Sequence, residues 1–287
     1  MEISKQASLK ASVDRDRLEG VQGKLVFARR SPDERSAPEV QVPSHRHSDW
    51  VSHSTTIRNA RPIVDELSLD REGFIRIEHE ISCADVRDPS IMSEKYLEEM
   101  TSFIKSHFNA SWVVPRRSGV IVRRAANAAG SVRAPASVAH IDYASVAGPM
   151  LAAAENQIQK LPIRPYSRLM IIQAWRALSP PPQDFPLAFC DASTTLDADI
   201  VMDDYALNAN SQNDGTAYKS TVVRFSPDQR WYYLPEMTPD ELILFKGYDS
   251  ERHYGRWAPH SAFDDRATYP SAKSRESIEA RFFVYYA

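Results

Sequence analysis

His140 and Asp142 stand two residues apart in Ala139-His140-Ile141-Asp142-Tyr143, and His260 follows far along the chain in Ala258-Pro259-His260-Ser261. Two imidazoles and one carboxylate on a single face form a ligand set for non-haem Fe(II). Neutral imidazole and carboxylate suit this cation, and three ligands leave coordination positions open. In a strand, residues i and i+2 point to the same side. His140 and Asp142 are therefore expected to face a common interior, with Ile141 facing out. A partner strand or its edge must supply His260. Each ligating histidine must also give its other ring nitrogen to an acceptor, which the sequence leaves unnamed.

The His-x-Asp pattern does not discriminate by itself, because His47-Ser48-Asp49 repeats it. That copy lies with His45 and His53 in a polar segment without strand signals, and the three histidines read as a solvated loop. A second constellation follows His260 in Arg275-Glu276-Ser277-Ile278-Glu279-Ala280-Arg281. On a strand, Arg275, Ser277, Glu279 and Arg281 share one face, while Ile278, Ala280 and Phe282 share the other. A guanidinium with a neighbouring hydroxyl is suited to a carboxylate cosubstrate. Arg275 with Ser277 offers that pair, and Arg281 competes for the role. A polar, solvated strand face is the plainer reading of the same residues.

These residues need elements to carry them. Residues 1 to 60 are polar and Ser/Arg-rich and read as a partly irregular arm, with Lys24–Ala28 as an added edge strand. Residues 61 to 287 read as a single domain. A strand is expected over Phe74–Ile77. Helical spacing of Met92, Tyr96, Leu97, Met100, Phe103 and Ile104 predicts a helix starting near Asp88-Pro89-Ser90. Gly119–Arg123 reads as a strand, followed by a small-residue loop from Ala125 to Ala136. A second helix is expected with Ala147, Met150, Leu151, Ala154, Ile158 and Leu161 on its buried face.

Strands and turns dominate from Arg168 onward. Leu169–Trp175 reads as a buried strand by its continuous apolarity. Residues 191 to 217 read as a long polar loop. Thr221–Phe225 and Arg230–Leu234 read as a hairpin. Glu241–Lys246 and Ser277–Tyr286 complete the strands. Two helices followed by short strands favour a mainly β fold with flanking helices, built on a closed jelly-roll core.

Composition narrows the function. The net charge is -3 with signs interspersed, which does not describe a nucleic-acid binder. Cys83 and Cys190 form no C-x-x-C, so a reducing, cytoplasmic setting fits. No apolar run reaches membrane-spanning length, and Met1-Glu2-Ile3-Ser4-Lys5 is unlike a signal peptide. The low glycine count, 9, comes without a phosphate-cradling loop.

The order His140-x-Asp142, His260, Arg275-x-Ser277 resembles the Fe(II)/2-oxoglutarate-dependent dioxygenases. The likeness is greater to a fungal hydroxylase/desaturase group, similar to gibberellin desaturases and cephamycin 7-methoxylation proteins. It is carried by Ala139–Tyr143, the segment from Ile171 through Trp175-Arg176 to Asp184-Phe185-Pro186-Leu187-Ala188, and Cys190-Asp191-Ala192. It continues through Arg230-Trp231-Tyr232-Tyr233, Met237–Glu241, Lys246, Asp249-Ser250, Pro259–Phe263 and Arg275–Glu279. The resemblance implies a double-stranded β-helix, cupin-like in outline, with Fe(II) on His140, Asp142 and His260. It implies 2-oxoglutarate and O2 as cosubstrates, with the far carboxylate of 2-oxoglutarate on Arg275 and Ser277. The implied reaction is hydrogen abstraction from an unactivated C–H bond of a small natural-product intermediate, leading to hydroxylation, desaturation or oxidative cyclisation.

Gln173 stands where this group usually has Asn, and Ala177 follows Trp175-Arg176 where Pro or a polar residue is usual. Substrate identity is therefore left open. Tyr143, Gln173, Arg176 and Trp231 are candidates for contact with a small-molecule substrate, Tyr143 as a cover over the iron or the entrance. Two other readings compete: a metal-binding barrel with non-oxoglutarate chemistry, and a non-catalytic partner subunit of another oxygenase. The oligomeric state is open, a homodimer included.

Overall fold

The structure, a computed structural model, describes residues 13–29, 50–82, 92–117, 120–124, 135–144, 147–203, 220–251 and 257–287. Outside them lie His45, His47 and Asp49, the helix start at Asp88–Ser90, most of the Ala125–Ala136 loop and the later part of the 191–217 loop.

Two sheets face each other. The first has eight strands: β1 (Gly20–Ala28), β2 (Trp50–Asn59), β6 (His140–Ile141), β8 (Leu187–Cys190), β9 (Ile200–Asp203), β10 (Ser220–Val223), β11 (Trp231–Tyr233) and β13 (His260–Ala262). Their order is β1-β2-β11-β8-β13-β6-β10-β9. The second contains β3 (Phe74–Glu78), β12 (Glu241–Asp249), β7 (Arg168–Ala177), β14 (Glu276–Tyr286) and β4 (Trp112–Pro115), with β5 (Ile121–Arg124) also paired to β14. The eight-stranded sheet rolls until its first strand returns to its far side. Val26 bridges Val138, Ala28 bridges Arg224, and the Ala139 N–H donates to the Val26 carbonyl at 2.8 Å. This is the expected double-stranded β-helix, mainly β with flanking helices.

Strand alternation sorts the core into layers. On β7 and β14, Ile172, Ala174, Ile278, Ala280 and Phe282 face helix α1 (Leu97–His107), which brings Leu97, Met100 and Ile104 at helical spacing. Trp175, Ala177, Ile243 and Phe245 face the other way, onto Leu187, Phe189 and Tyr232 of the eight-stranded sheet. Inside the roll of that sheet, Leu25, Phe27, Ile57, Ile141, Cys190 and Trp231 form a core of their own.

The chain departs from its sequence pattern at several points. β10 and β11 do not form a hairpin: β10 pairs with β6 and β9, and β11 with β2 and β8. Ser226–Gln229 carries the chain between distant positions of the rolled sheet, and short-range turn signals do not register such a crossing. The polar segment after Asp191 holds two single-turn helices and then β9. His53 lies on β2 rather than in a loop, its ring stacked on Phe225 at 4.0 Å. Ile141 is buried on the outer side of its strand because the roll brings Leu25, Phe27 and Trp231 over it.

Helix α2 (Ala147–Ile158) turns a different face inward than its apolar spacing predicts. Met150, Ile158 and Leu161 are 71%, 52% and 38% exposed. The buried face is Ala147, Gly148, Leu151, Ala152 and Glu155. Gly148 rests on the Tyr248 ring, where a Cβ would come within 2.6 Å of ring atoms. Close approach therefore selects small residues over large apolar ones. Glu155 is satisfied within the fold by the Arg117 N–H at 3.1 Å and the Gln159 amide at 2.6 Å.

Candidate metal centre

β6 and β13 are neighbours, with His260 directly opposite His140. That register sets the imidazoles side by side, with ring centroids 4.3 Å apart. β6 ends at Ile141, and Asp142 follows in a bend. The carboxylate thereby returns to the histidines: Asp142 Oδ1 is 3.6 Å from His140 Nε2, and Oδ2 is 3.9 Å from His260 Nε2. One ligand atom from each residue lies within 4.8 Å of the others, and all three residues are buried.

Each imidazole is held by a carbonyl two residues upstream. His140 Nδ1 lies 2.7 Å from Val138 O, and His260 Nδ1 lies 3.0 Å from Ala258 O. A carbonyl only accepts, so Nδ1 carries the proton and Nε2 presents its lone pair to the cluster. These are the acceptors the sequence could not name. Burial, then the neighbouring His140, pushes His260 down to about 3, which keeps it neutral. Burial pushes the Asp142 carboxyl up. The Arg281 charge, then contact with His140 and His260, overcomes this and holds it well below the usual carboxylate range. Two imidazoles turned by Nε2 toward an ionised carboxylate fit a divalent transition metal. Phe245 and Phe189 close the apolar side, with centroids 4.9 and 5.9 Å from that of His260.

The six-stranded sheet supplies a polar layer behind Asp142. Gln173 and Arg281 are paired across β7 and β14. The Gln173 amide donates to Asp142 Oδ2, and Arg281 Nη2 donates to the same oxygen at 3.0 Å. Glu279 accepts from Arg281 Nε at 2.9 Å. Arg275, directly ahead of β14, lies in different surroundings. Its guanidinium is fully buried, lies over the Trp175 ring at 5.6 Å, and donates from Nη1 to Phe185 O at 2.7 Å. Its Nε has no partner, and among the described residues no carboxylate lies within ion-pair distance of it. Asp184 accepts from the Arg275 backbone N–H at 2.7 Å. Burial, then the charge of Arg123, lowers Arg275 to about 9. Ser277, also buried, stands between Arg275 and Glu279 in the chain. A buried guanidinium without an ion-pair partner among the described residues fits a dicarboxylate such as 2-oxoglutarate.

Residues 25–285 match the family described as the oxidoreductase/YMDC permease-like domain. Hydroxylase/desaturase efuI of Hormonema carpetanum is 31% identical over 265 residues, spanning 83% of this chain and 85% of that protein. The Fe(II)/2-oxoglutarate-dependent dioxygenase nvfI of Aspergillus novofumigatus is 27% identical over 245 residues, with 83% and 84% covered. The chain belongs to the Fe(II)/2-oxoglutarate-dependent dioxygenases, in their hydroxylase/desaturase group. A solved structure of the endoperoxidase NvfI shares the fold, with a TM-score of 0.74 over 93% of this chain and 98% of that one at 24% identity.

The other residues singled out for this dioxygenase fall in different places. Tyr143 is buried, with Arg281 5.6 Å over its ring. Gln173 touches Asp142 and not open space. Arg176 lies on the α1 side of β7, away from the centre. There it donates to the carbonyls of His79 and Pro239 at 2.8 and 3.1 Å, as a structural pin. Trp231 packs inside the roll of the eight-stranded sheet, on the side opposite His260. Arg281 is engaged by Asp142 and Glu279, whereas Arg275 has no carboxylate partner among the described residues. Glu279, which alternation places on the same face as Arg281, is its partner there. Its signal was a carboxylate two residues from Arg281 on a face bounded by core residues, where an acid must be paired.

Proposed function

We propose that His140, Asp142 and His260 hold one Fe(II), and that Arg275 with Ser277 receives the far carboxylate of 2-oxoglutarate. The observation that carries this is the arrangement of two Nε2 lone pairs and an ionised carboxylate facing one point, with an unpaired buried guanidinium on the facing sheet. Iron held there would, with O2 and 2-oxoglutarate, supply an oxidant able to take hydrogen from an unactivated C–H bond. The chain does the rest: the Val138 and Ala258 carbonyls fix the imidazole tautomers, Arg281 keeps Asp142 ionised, and Phe189 and Phe245 exclude water.

The substrate is a small natural-product intermediate, and the outcome is hydroxylation, desaturation or cyclisation. The relatives named hydroxylase/desaturase and endoperoxidase support an oxidative outcome of this range. A cytoplasmic enzyme independent of nucleic acid and of membrane fits the charge distribution. No helix among the described residues is long and apolar enough to cross a membrane.

Anaerobic reconstitution with Fe(II), followed by a 2-oxoglutarate-dependent succinate assay, tests the reading. The wild type is expected to bind one iron and release succinate, and His140→Ala to lose both while staying folded. An active preparation that turns over without consuming 2-oxoglutarate sinks it.

A further inference from the structure

We infer that Gln173 and Arg281 are positioning residues that occupy Asp142 Oδ2, so that the carboxylate offers a metal only Oδ1. The inference rests on the proposed metal role of His140, Asp142 and His260, and it concerns how one of those ligands is restrained.

A carboxylate oxygen has room for about two in-plane hydrogen bonds. Oδ2 receives two, from the Gln173 amide and from Arg281 Nη2 at 3.0 Å. Oδ1 is the oxygen turned to His140 Nε2 at 3.6 Å, whereas Oδ2 is 3.9 Å from His260 Nε2. The geometry therefore disfavours two-oxygen chelation by Asp142 and keeps one more metal position open.

The donors are themselves fixed. Glu279 accepts from Arg281 Nε at 2.9 Å and from the Gln173 amide at 3.3 Å. Two carboxylates can only accept, so the amide NH2 must face them and its carbonyl must face away. The carbonyl turns to Gly247, at a register shift in β12. A Cβ at Gly247 would lie 2.5 Å from Gln173 Oε1 and 2.5 Å from a Tyr143 ring atom. Gly247 is thus the wall that sets the depth of Gln173, and the Tyr143 ring backs Arg281 from the same side. The Gln173 amide takes up room that a side chain at position 247 would fill.

The test uses the full chain and Co(II), titrated anaerobically and followed by its visible absorption. The wild type should bind, and His140→Ala should abolish binding. Gln173→Leu should weaken Co(II) about 10- to 100-fold and change the band pattern, with the urea midpoint monitored in parallel. Gly247→Ala should shift affinity and spectrum in the same direction without touching a ligand. The double variant should fall no further than Gln173→Leu alone, since both act through one amide. If both single variants keep wild-type affinity and spectrum while His140→Ala abolishes binding, the positioning role is wrong and the metal centre stands. If the wild type binds no Co(II), or His140→Ala changes nothing, both are wrong.

Discussion

Arg281 lies on β14 and Arg275 directly precedes that strand, and both are buried, at 3% and 1% exposure. Their surroundings are opposite. Arg281 meets Asp142 and Glu279 within hydrogen-bond distance. Among the described residues, the Arg275 guanidinium meets one backbone carbonyl and an indole face. A buried cation matched by the chain's own acids is part of the scaffold. One left unmatched carries a desolvation cost that an anionic ligand can relieve. Identical residue types close in sequence thereby divide into one matched by acids of the chain and one without a carboxylate partner among the described residues.

Mutation should separate the two most sharply at Arg281. Arg281→Met strands Asp142 and Glu279 without their counter-charge and should cost about 3–5 kcal/mol in urea unfolding. Adding Glu279→Leu should recover part of the loss, and a strictly additive double variant would deny the shared role. Arg275→Met should behave in the reverse way. Stability without ligand should change by less than about 1 kcal/mol, while KM for 2-oxoglutarate rises at least about 30-fold, the lower end for losing one partner of a buried charge pair. An Arg275 variant that unfolds with unchanged KM would erase the distinction.

A third cluster gives the baseline. Glu241 accepts from Arg61 and, at 2.8 Å, from Arg76, far from the metal centre. Burial pushes its carboxyl up, but the hydrogen bonds from Arg61, Thr238 N–H and Arg76 bring it from 4.5 to about 2. A depressed folded value means the stabilisation is complete above about 4.5 and is lost as pH falls toward 2. Glu241→Gln should cost about 2 kcal/mol near neutrality, flatten that part of the acid profile, and leave succinate release intact. The smallest effect is expected at Cys190. Burial raises its thiol to about 12. It should therefore stay unlabelled by a thiol reagent at about pH 8 in the native state, and rapid labelling would mean its core opens.

The ligand types, their order and the two candidate arginines were legible because alternation along a strand is local. The division between Arg275 and Arg281 was not, since alternation places both on one face. What distinguishes them comes from Gln173 on the neighbouring strand and Asp142 on the facing sheet. The same limit explains Trp231 and Arg176, whose strands were expected but whose facing sides depend on how the sheets curl and stack. On α2, apolar spacing pointed to Met150 and Ile158, but the contact with Tyr248 required Gly148. The closed, mainly β core followed from strand density and turn chemistry, and the double-stranded β-helix from the family resemblance. The crossing from β10 to β11 did not, because a hairpin and a passage around a rolled sheet begin with the same four residues.

The closure beside β6 has a kinetic consequence. β6 is two residues long, and its ligand histidine is followed by a bend. Its place in the sheet is held by β13, β10 and the returning first strand through the Ala139 N–H. That amide is thus a clock for the seam: its hydrogen exchange reports how often the ring opens next to His140. Metal should slow this exchange without slowing that of β12, on the opposite sheet. Exit of the metal should then be timed by opening of the N-terminal seam, not by motion of the side chains that hold it.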